Sequence, residues 1–264
     1  MDILAKLPKY VNQFLPTIYA ETPSLFRCGT AAGATCIDFA YPNRYDVYKL
    51  EHDLYVQLIG PDVASDKNGI TPDEAKKMFA EYHVGVLDLM PLVQHGLDTG
   101  DYEPLKAEIE AENRQGVIQF MSVADESLLI NDANGQSLHP GLHYGHCIVR
   151  LGFSDDSGYG LYFDPANPLA CTDPTTHAYK PVHISWEQSM VKARPNFCYA
   201  IMPPGVPAPP ADFRYTSGPW PKPKPVVDLD KVLSNLAAIG SVGQQLATIS
   251  AELAKDVANL KQAV

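Results

Sequence analysis

The stretch Cys28-Gly29-Thr30-Ala31-Ala32-Gly33-Ala34-Thr35-Cys36-Ile37-Asp38-Phe39-Ala40 decides how this chain is read. Its residues are mostly small and apolar, which predicts a buried helix that Pro42 ends. Glycine and alanine at Gly29, Ala31, Ala32 and Gly33 allow such a helix to pack closely on a sheet. A cysteine at the helix start meets the positive end of the helix dipole, where free N–H groups favour a thiolate. The same N–H groups suit a developing oxyanion. A lone cysteine is usually just a buried small hydrophobe, so Cys28 acquires chemical meaning only through partners elsewhere.

Two partners lie far downstream. His146 heads the apolar run Cys147-Ile148-Val149-Arg150-Leu151-Gly152-Phe153, and Asp164 stands before Pro165. Between them Ser154-Asp155-Asp156-Ser157-Gly158 is dense in turn formers, and Gly160 to Asp164 returns from it. This pattern predicts a hairpin with His146 and Asp164 at neighbouring ends. An aspartate there fixes the imidazole tautomer and supports the imidazolium. The candidate catalytic set is therefore Cys28 as nucleophile, His146 as base and Asp164 as orienting group. His143, three residues earlier in a glycine-rich stretch, is a rival base.

The remaining pattern predicts an α+β fold, with helices first and strands later. Val47 to Ile59 carries Tyr48, Leu54, Tyr55 and Leu58 near helical spacing. Thr71-Pro72-Asp73-Glu74 combines a capping threonine, proline at the first helical position and acids in the first turn, predicting a helix to about Tyr82. Pro104 to Asn113 predicts another. Gly116 to Val123 and Phe197 to Met202 read as strands. The expected organisation is a domain over 1–202, a proline-rich linker over 203–227 and an amphipathic helix over 228–264. The apolar stripe of that helix, from Leu229 to Val264 at spacings of three and four, predicts docking or homo-oligomerisation.

Charge and cysteine usage narrow the function classes. The formal net charge is −11, and no basic run exceeds the Lys222/Lys224 pair, which argues against nucleic acid as a partner. Five cysteines without a CxxC pair argue against a disulfide framework or a zinc ribbon. Among themselves His52, His83, His95, His139, His177 and His183 form no HxxxH or HxH pair, so neither metal nor cofactor is expected. No secretory signal or membrane-spanning run is recognised, which predicts a cytoplasmic or virion-associated protein. Cys147, Cys171 and Cys198 read as structural.

At Cys28-Gly29 and its small-residue helix, the strand after Gly116, and the glycine-preceded His146 strand closing on Asp164-Pro165, the chain resembles the double-glycine leader peptidase group of papain-like cysteine peptidases. Relatives in that group include phage lysin domains. The resemblance covers roughly residues 20 to 202. It implies a papain-like domain with N-terminal helices packed on an antiparallel sheet, acting on a peptide or cell-wall peptide amide through Cys28, His146 and Asp164. The group usually carries a glutamine about six residues before the cysteine as an oxyanion donor. Here no glutamine occurs between Gln13 and Gln57. Loss of one such donor costs roughly 10²–10³ in rate, so the alternative is a weak or inactive papain-like module in a phage or bacterial assembly. The Cys-to-His separation is also long, with expected insertions at Gln94 to Glu103 and Asn131 to His143 that suit a lid or substrate wall. A second resemblance, of Gly33 to Ala40 to the cysteine motif of transglutaminase-like proteins, implies Cys36 as nucleophile with the same His146 and Asp164.

Overall fold

The computed structural model describes residues 27–60, 69–124, 145–153, 159–166 and 181–219, together with Val11, four two- or three-residue strands and parts of the C-terminal helix. Helices α1 (Cys28–Ala40), α2 (Val47–Leu58) and α3 (Pro72–Glu81) come first. Strand β1 (Val86–Asp88), helices α4 (Met90–Thr99) and α5 (Glu103–Arg114) and strand β2 (Ile118–Val123) follow. Short strands β3 (Ile130–Asn131) and β4 (Gln136–Ser137) pair with each other, as do β7 (Cys171–Asp173) and β8 (Ala178–Tyr179). The longer strands are β5 (His146–Phe153), β6 (Tyr159–Phe163), β9 (Val182–Ser185) and β10 (Pro195–Ile201), with a π-helical turn at Glu187–Lys192 before the last.

Local chemistry explains the helix boundaries. Asp46 caps α2 by accepting from the Tyr48 and Lys49 amides. Thr71 and Glu74 form a reciprocal capping box at the start of α3, with Pro72 at the first position. Helix α4 begins where the Met90 amide donates to Asp88 Oδ1, and it ends at Gly100 in the left-handed region. In α1 no side chain caps the start and no acid occupies the first turn.

Six strands form one antiparallel sheet in the order β1-β10-β2-β5-β6-β9. Every residue of β2 is buried, as expected for a central strand covered on both faces. On one face Ile118, Phe120, Val149, Leu151, Phe197 and Tyr199 share a core with α1, α2 and α3. Rings of Phe79, Phe120, Phe197 and Tyr199 follow one another there at centroid separations of 5.2–5.4 Å. On the other face Met121, Val123, Ile148, Cys198 and Ala200 meet Leu89, Val93, Leu105 and Ile109 from the α4–α5 side. Burying each large apolar side chain contributes about 1.5–3 kcal/mol.

The described architecture is thus α+β, with helices on an antiparallel sheet, and it departs from the expectation at several points. Strands β1 and β9, helix α4 and the π-helical turn were not anticipated. Gln94 to Glu103, expected as an insertion walling the site, is the end of α4, a short loop and the start of α5. Both helices belong to the second core, on the face away from α1, because Val93, Leu105 and Ile109 need an apolar partner. Asn131 to His143, including His143 itself, falls mostly outside the described residues.

The second face also carries a buried polar seam. Gln119 Nε2 donates to Glu112 Oε2 at 2.9 Å beside the fully buried Arg150. Burial, and then the neighbouring Glu108, push the Glu112 carboxyl well above the ordinary carboxylate range.

The proline-rich stretch begins as part of the domain. Met202 donates its amide to the Gly85 carbonyl, and Val206, Phe213 and Tyr215 pack on the second core. Glu108 accepts from the Tyr215 and Thr216 amides and from the Thr216 hydroxyl, tying the 3₁₀ turn Tyr215–Ser217 to α5. The chain divides into compact units at 1–222 and 223–264. In the second unit the described residues at 244–251 are helical, and Leu246, Ile249 and Leu253 are each more than half exposed. Among the described residues no helix is long and apolar enough to cross a membrane.

A Cβ at Gly85 would lie 2.7 Å from the Ala208 amide nitrogen and 2.9 Å from the Pro207 carbonyl carbon. Backbone cannot swing away as a flexible side chain can. Gly85→Ala is expected to cost about 1–3 kcal/mol in urea denaturation, and to make the 203–219 segment more susceptible to limited proteolysis than in the parent chain.

Candidate active site

Strand β5 pairs with β6 so that Val149 faces Phe163, with a bulge between Arg150 and Gly152. That register carries His146 and Asp164 to the same end of the hairpin. His146 Nε2 lies 2.8 Å from Asp164 Oδ1, and both side chains are buried. Asp164 is itself held, since Oδ1 also accepts the Ala166 amide at 2.9 Å in the turn through Pro165. The imidazole is thus held by the carboxylate through Nε2.

The thiol is supplied by α1, which packs on β5 with its start at the mouth of that strand. Cys28 neighbours both Cys147 and His146, the two residues that act most on its thiol. These contacts set the charge state. The Cys147 side chain favours the Cys28 thiolate most strongly; burial opposes it, and the hydrogen bond and charge of His146 add to the first effect. The Cys28 thiol is therefore held well below its ordinary value. For His146, burial works against the charged ring, but the Asp164 carboxylate and the Cys28 sulfur outweigh it, and the ring is held well above its ordinary value. The arrangement favours a thiolate–imidazolium pair.

Three residues that the sequence reading passed over fix the start of α1. Arg27, immediately before the cysteine, donates from Nη1 to Glu51 Oε2, and its guanidinium lies 4.1 Å from the centroid of the Tyr55 ring. Thr30 donates its hydroxyl to Glu51 Oε1 at 2.7 Å. Glu51 and Tyr55 stand one turn apart on α2, so the clamp joins the two helices. Burial raises the Glu51 carboxyl even though Arg27 and Thr30 pull it down. The clamp thus fixes position more than it adds net stability. A basic residue beside the cysteine and an acid at helical spacing from an aromatic were the available sequence signal.

The other candidates are placed differently. Cys36 lies two turns into α1, is fully buried, and its thiol is pushed well up by burial. Cys198 faces the second core and is likewise raised by burial. Cys147, read as structural from sequence, is buried beside Cys28. The side chain of Cys171 lies outside the described residues, as do residues 21–26 where an oxyanion glutamine would stand. Gln57 bonds Glu81 on the outer surface of α2 and α3. Among the described residues no group of three or more metal-ligating side chains is assembled. No protein-family model matches the chain, and no curated protein matches it significantly.

The charge states predict a pH signature. Thiolate persists until pH falls through the lowered Cys28 value, whereas imidazolium is lost as pH rises through the raised His146 value. Iodoacetamide should label Cys28 selectively at pH 6, and His146→Ala should move the labelling profile to higher pH. Uniform slow labelling of all cysteines would contradict this. For the clamp, Glu51→Ala leaves Arg27 buried without its anion and should cost about 3–5 kcal/mol in chemical denaturation. The double change Arg27→Met with Glu51→Leu should recover most of that loss yet still slow Cys28 labelling.

Proposed function

We propose that this protein is a papain-like cysteine peptidase or amidase acting on a peptide or cell-wall peptide amide. The observation that carries this reading is the juxtaposition of Cys28, His146 and Asp164, with His146 Nε2 2.8 Å from Asp164 Oδ1 and the Cys28 thiol beside the same imidazole.

In the proposed cycle the Cys28 thiolate attacks the amide carbonyl, forming the S–C bond and placing negative charge on the carbonyl oxygen. Backbone N–H groups at the uncapped start of α1 face that charge. Collapse breaks the C–N bond as the His146 imidazolium gives its proton to the leaving amine. His146, now neutral, takes a proton from water, which attacks the thioester and releases the acid and the Cys28 thiolate. Asp164 holds the ring in register throughout.

A binding module built on the same fold is the competing reading. It is supported by the absence of a glutamine between Gln13 and Gln57 and by the near-complete burial of Cys28, which is 5% exposed.

Amine release from peptidoglycan fragments and from unstructured polypeptide, followed with the full chain, separates the two. Hydrolysis of either that disappears in Cys28→Ala and falls about 10²–10⁴-fold in His146→Ala supports the enzyme. No amine release from either substrate, with tight retention on one of them by both parent and Cys28→Ala, supports the module.

A further inference from the structure

The proposed hydrolytic cycle uses one thiol, but two stand together at the site. Cys147 directly follows the candidate base on β5, and its alternation along the strand turns it toward α1, into the core that contains Cys28, Ala31, Ala32 and Cys36. It is buried in that core beside Cys28, where α1 packs on β5, and Ser122 stands opposite it on β2. We infer that Cys28 and Cys147 form a reversible oxidation site, in which Cys147 resolves an oxidised Cys28 as an intramolecular disulfide. The inference rests on the reading of Cys28 as an activated thiolate.

The geometry selects the partner. Cys36 sits eight residues along the same helix, about 12 Å from Cys28 at 1.5 Å per residue, beyond the roughly 7 Å over which two Cα atoms can be bridged. Cys198 faces the opposite core. Among the cysteines with described side chains, Cys147 is the one that stands beside Cys28 in the same core. Closing the two sulfurs to a bond of about 2.05 Å joins elements that already pack on each other.

The chemistry balances with hydrogen peroxide as oxidant. The Cys28 thiolate attacks one peroxide oxygen; the S–O bond forms, the O–O bond breaks, and hydroxide leaves. Cys28 is oxidised by two electrons to the sulfenic acid as the peroxide is reduced. The Cys147 sulfur then attacks the sulfenic sulfur; the S–S bond forms, the S–O bond breaks, and the departing hydroxide takes the Cys147 proton as water. A thiol reductant reverses the second bond. Without Cys147 the sulfenic acid stays exposed to a second oxidation, which thiols do not reverse.

Hydrogen peroxide treatment of the full chain, read by intact mass and by peptide mapping without reduction, tests this. The parent chain should lose two hydrogen atoms, yield a Cys28–Cys147 cross-linked peptide, and regain Cys28 labelling by iodoacetamide after dithiothreitol. Cys147→Ser and Cys147→Ala, two substitutions of different polarity at one buried position, should gain oxygen at Cys28 and recover labelling at least about tenfold less. A parent chain that accumulates sulfinic acid at Cys28 as fast as the variants, or that links Cys28 to any other cysteine, overturns the inference. If Cys28 takes iodoacetamide selectively yet no cross-link forms, only the oxidation site fails. If Cys28 takes neither reagent, the activated-thiol reading fails with it.

Discussion

A thiol on the first residue of a helix meets an imidazole on the first residue of a strand only when the helix lies across the sheet with its start at that strand's mouth. Helix α1 satisfies this through small residues along its length and through the Arg27–Glu51–Thr30 clamp at its end. The clamp turns a helix terminus, normally the loosest part of a helix, into a fixed point shared with α2. Asp164 plays the equivalent part for the imidazole, because its own turn through Ala166 leaves the carboxylate little freedom. Both groups are therefore positioned by their neighbours, which is the geometric condition that the proposed nucleophilic chemistry requires.

Much of this was legible in the chain, for reasons specific to each element. The boundaries of α1 followed from Pro42 and from the run of small residues, and those of α3 from a capping box. The separation of 18 residues between His146 and Asp164 spans the paired strands β5 and β6, and the bond between them follows from that length. Strand β1 and helix α4 escaped because Leu87, Leu89, Met90, Leu92 and Val93 form an apolar run whose periodicity fits neither a strand nor a helix alone. The nearness of Cys147 to Cys28 escaped because alternation assigns a residue to a face without saying which side chain will oppose it. The Arg27 clamp is long-range, and only the packing of α1 on α2 brings its members together.

The sheet separates two interiors, each with its own buried polar groups. The α1 side buries Arg27, Thr30, Glu51, His146 and Asp164 in or beside the candidate site, with Thr35 and Asp38 further along α1. The α5 side carries Glu108, Glu112, Gln119 and Arg150 among its apolar groups. Glu108 spends its acceptors on the backbone of the 3₁₀ turn at Tyr215–Ser217, so a carboxylate on one helix organises a segment that proline content alone would describe as a free spacer. Proline sets the extended backbone there, and Glu108 decides where it rests.

Because the sheet is open, it has two outer strands, and both are brief: β1 has three residues and β9 four. Each presents too few unpaired amides and carbonyls to template a new strand from a neighbouring molecule. The eight-residue β5, which would be the most adhesive ladder if uncovered, is shielded by β2 and β6 on its flanks. The order of strands thus guards the folded protein against fibrillar, edge-to-edge aggregation.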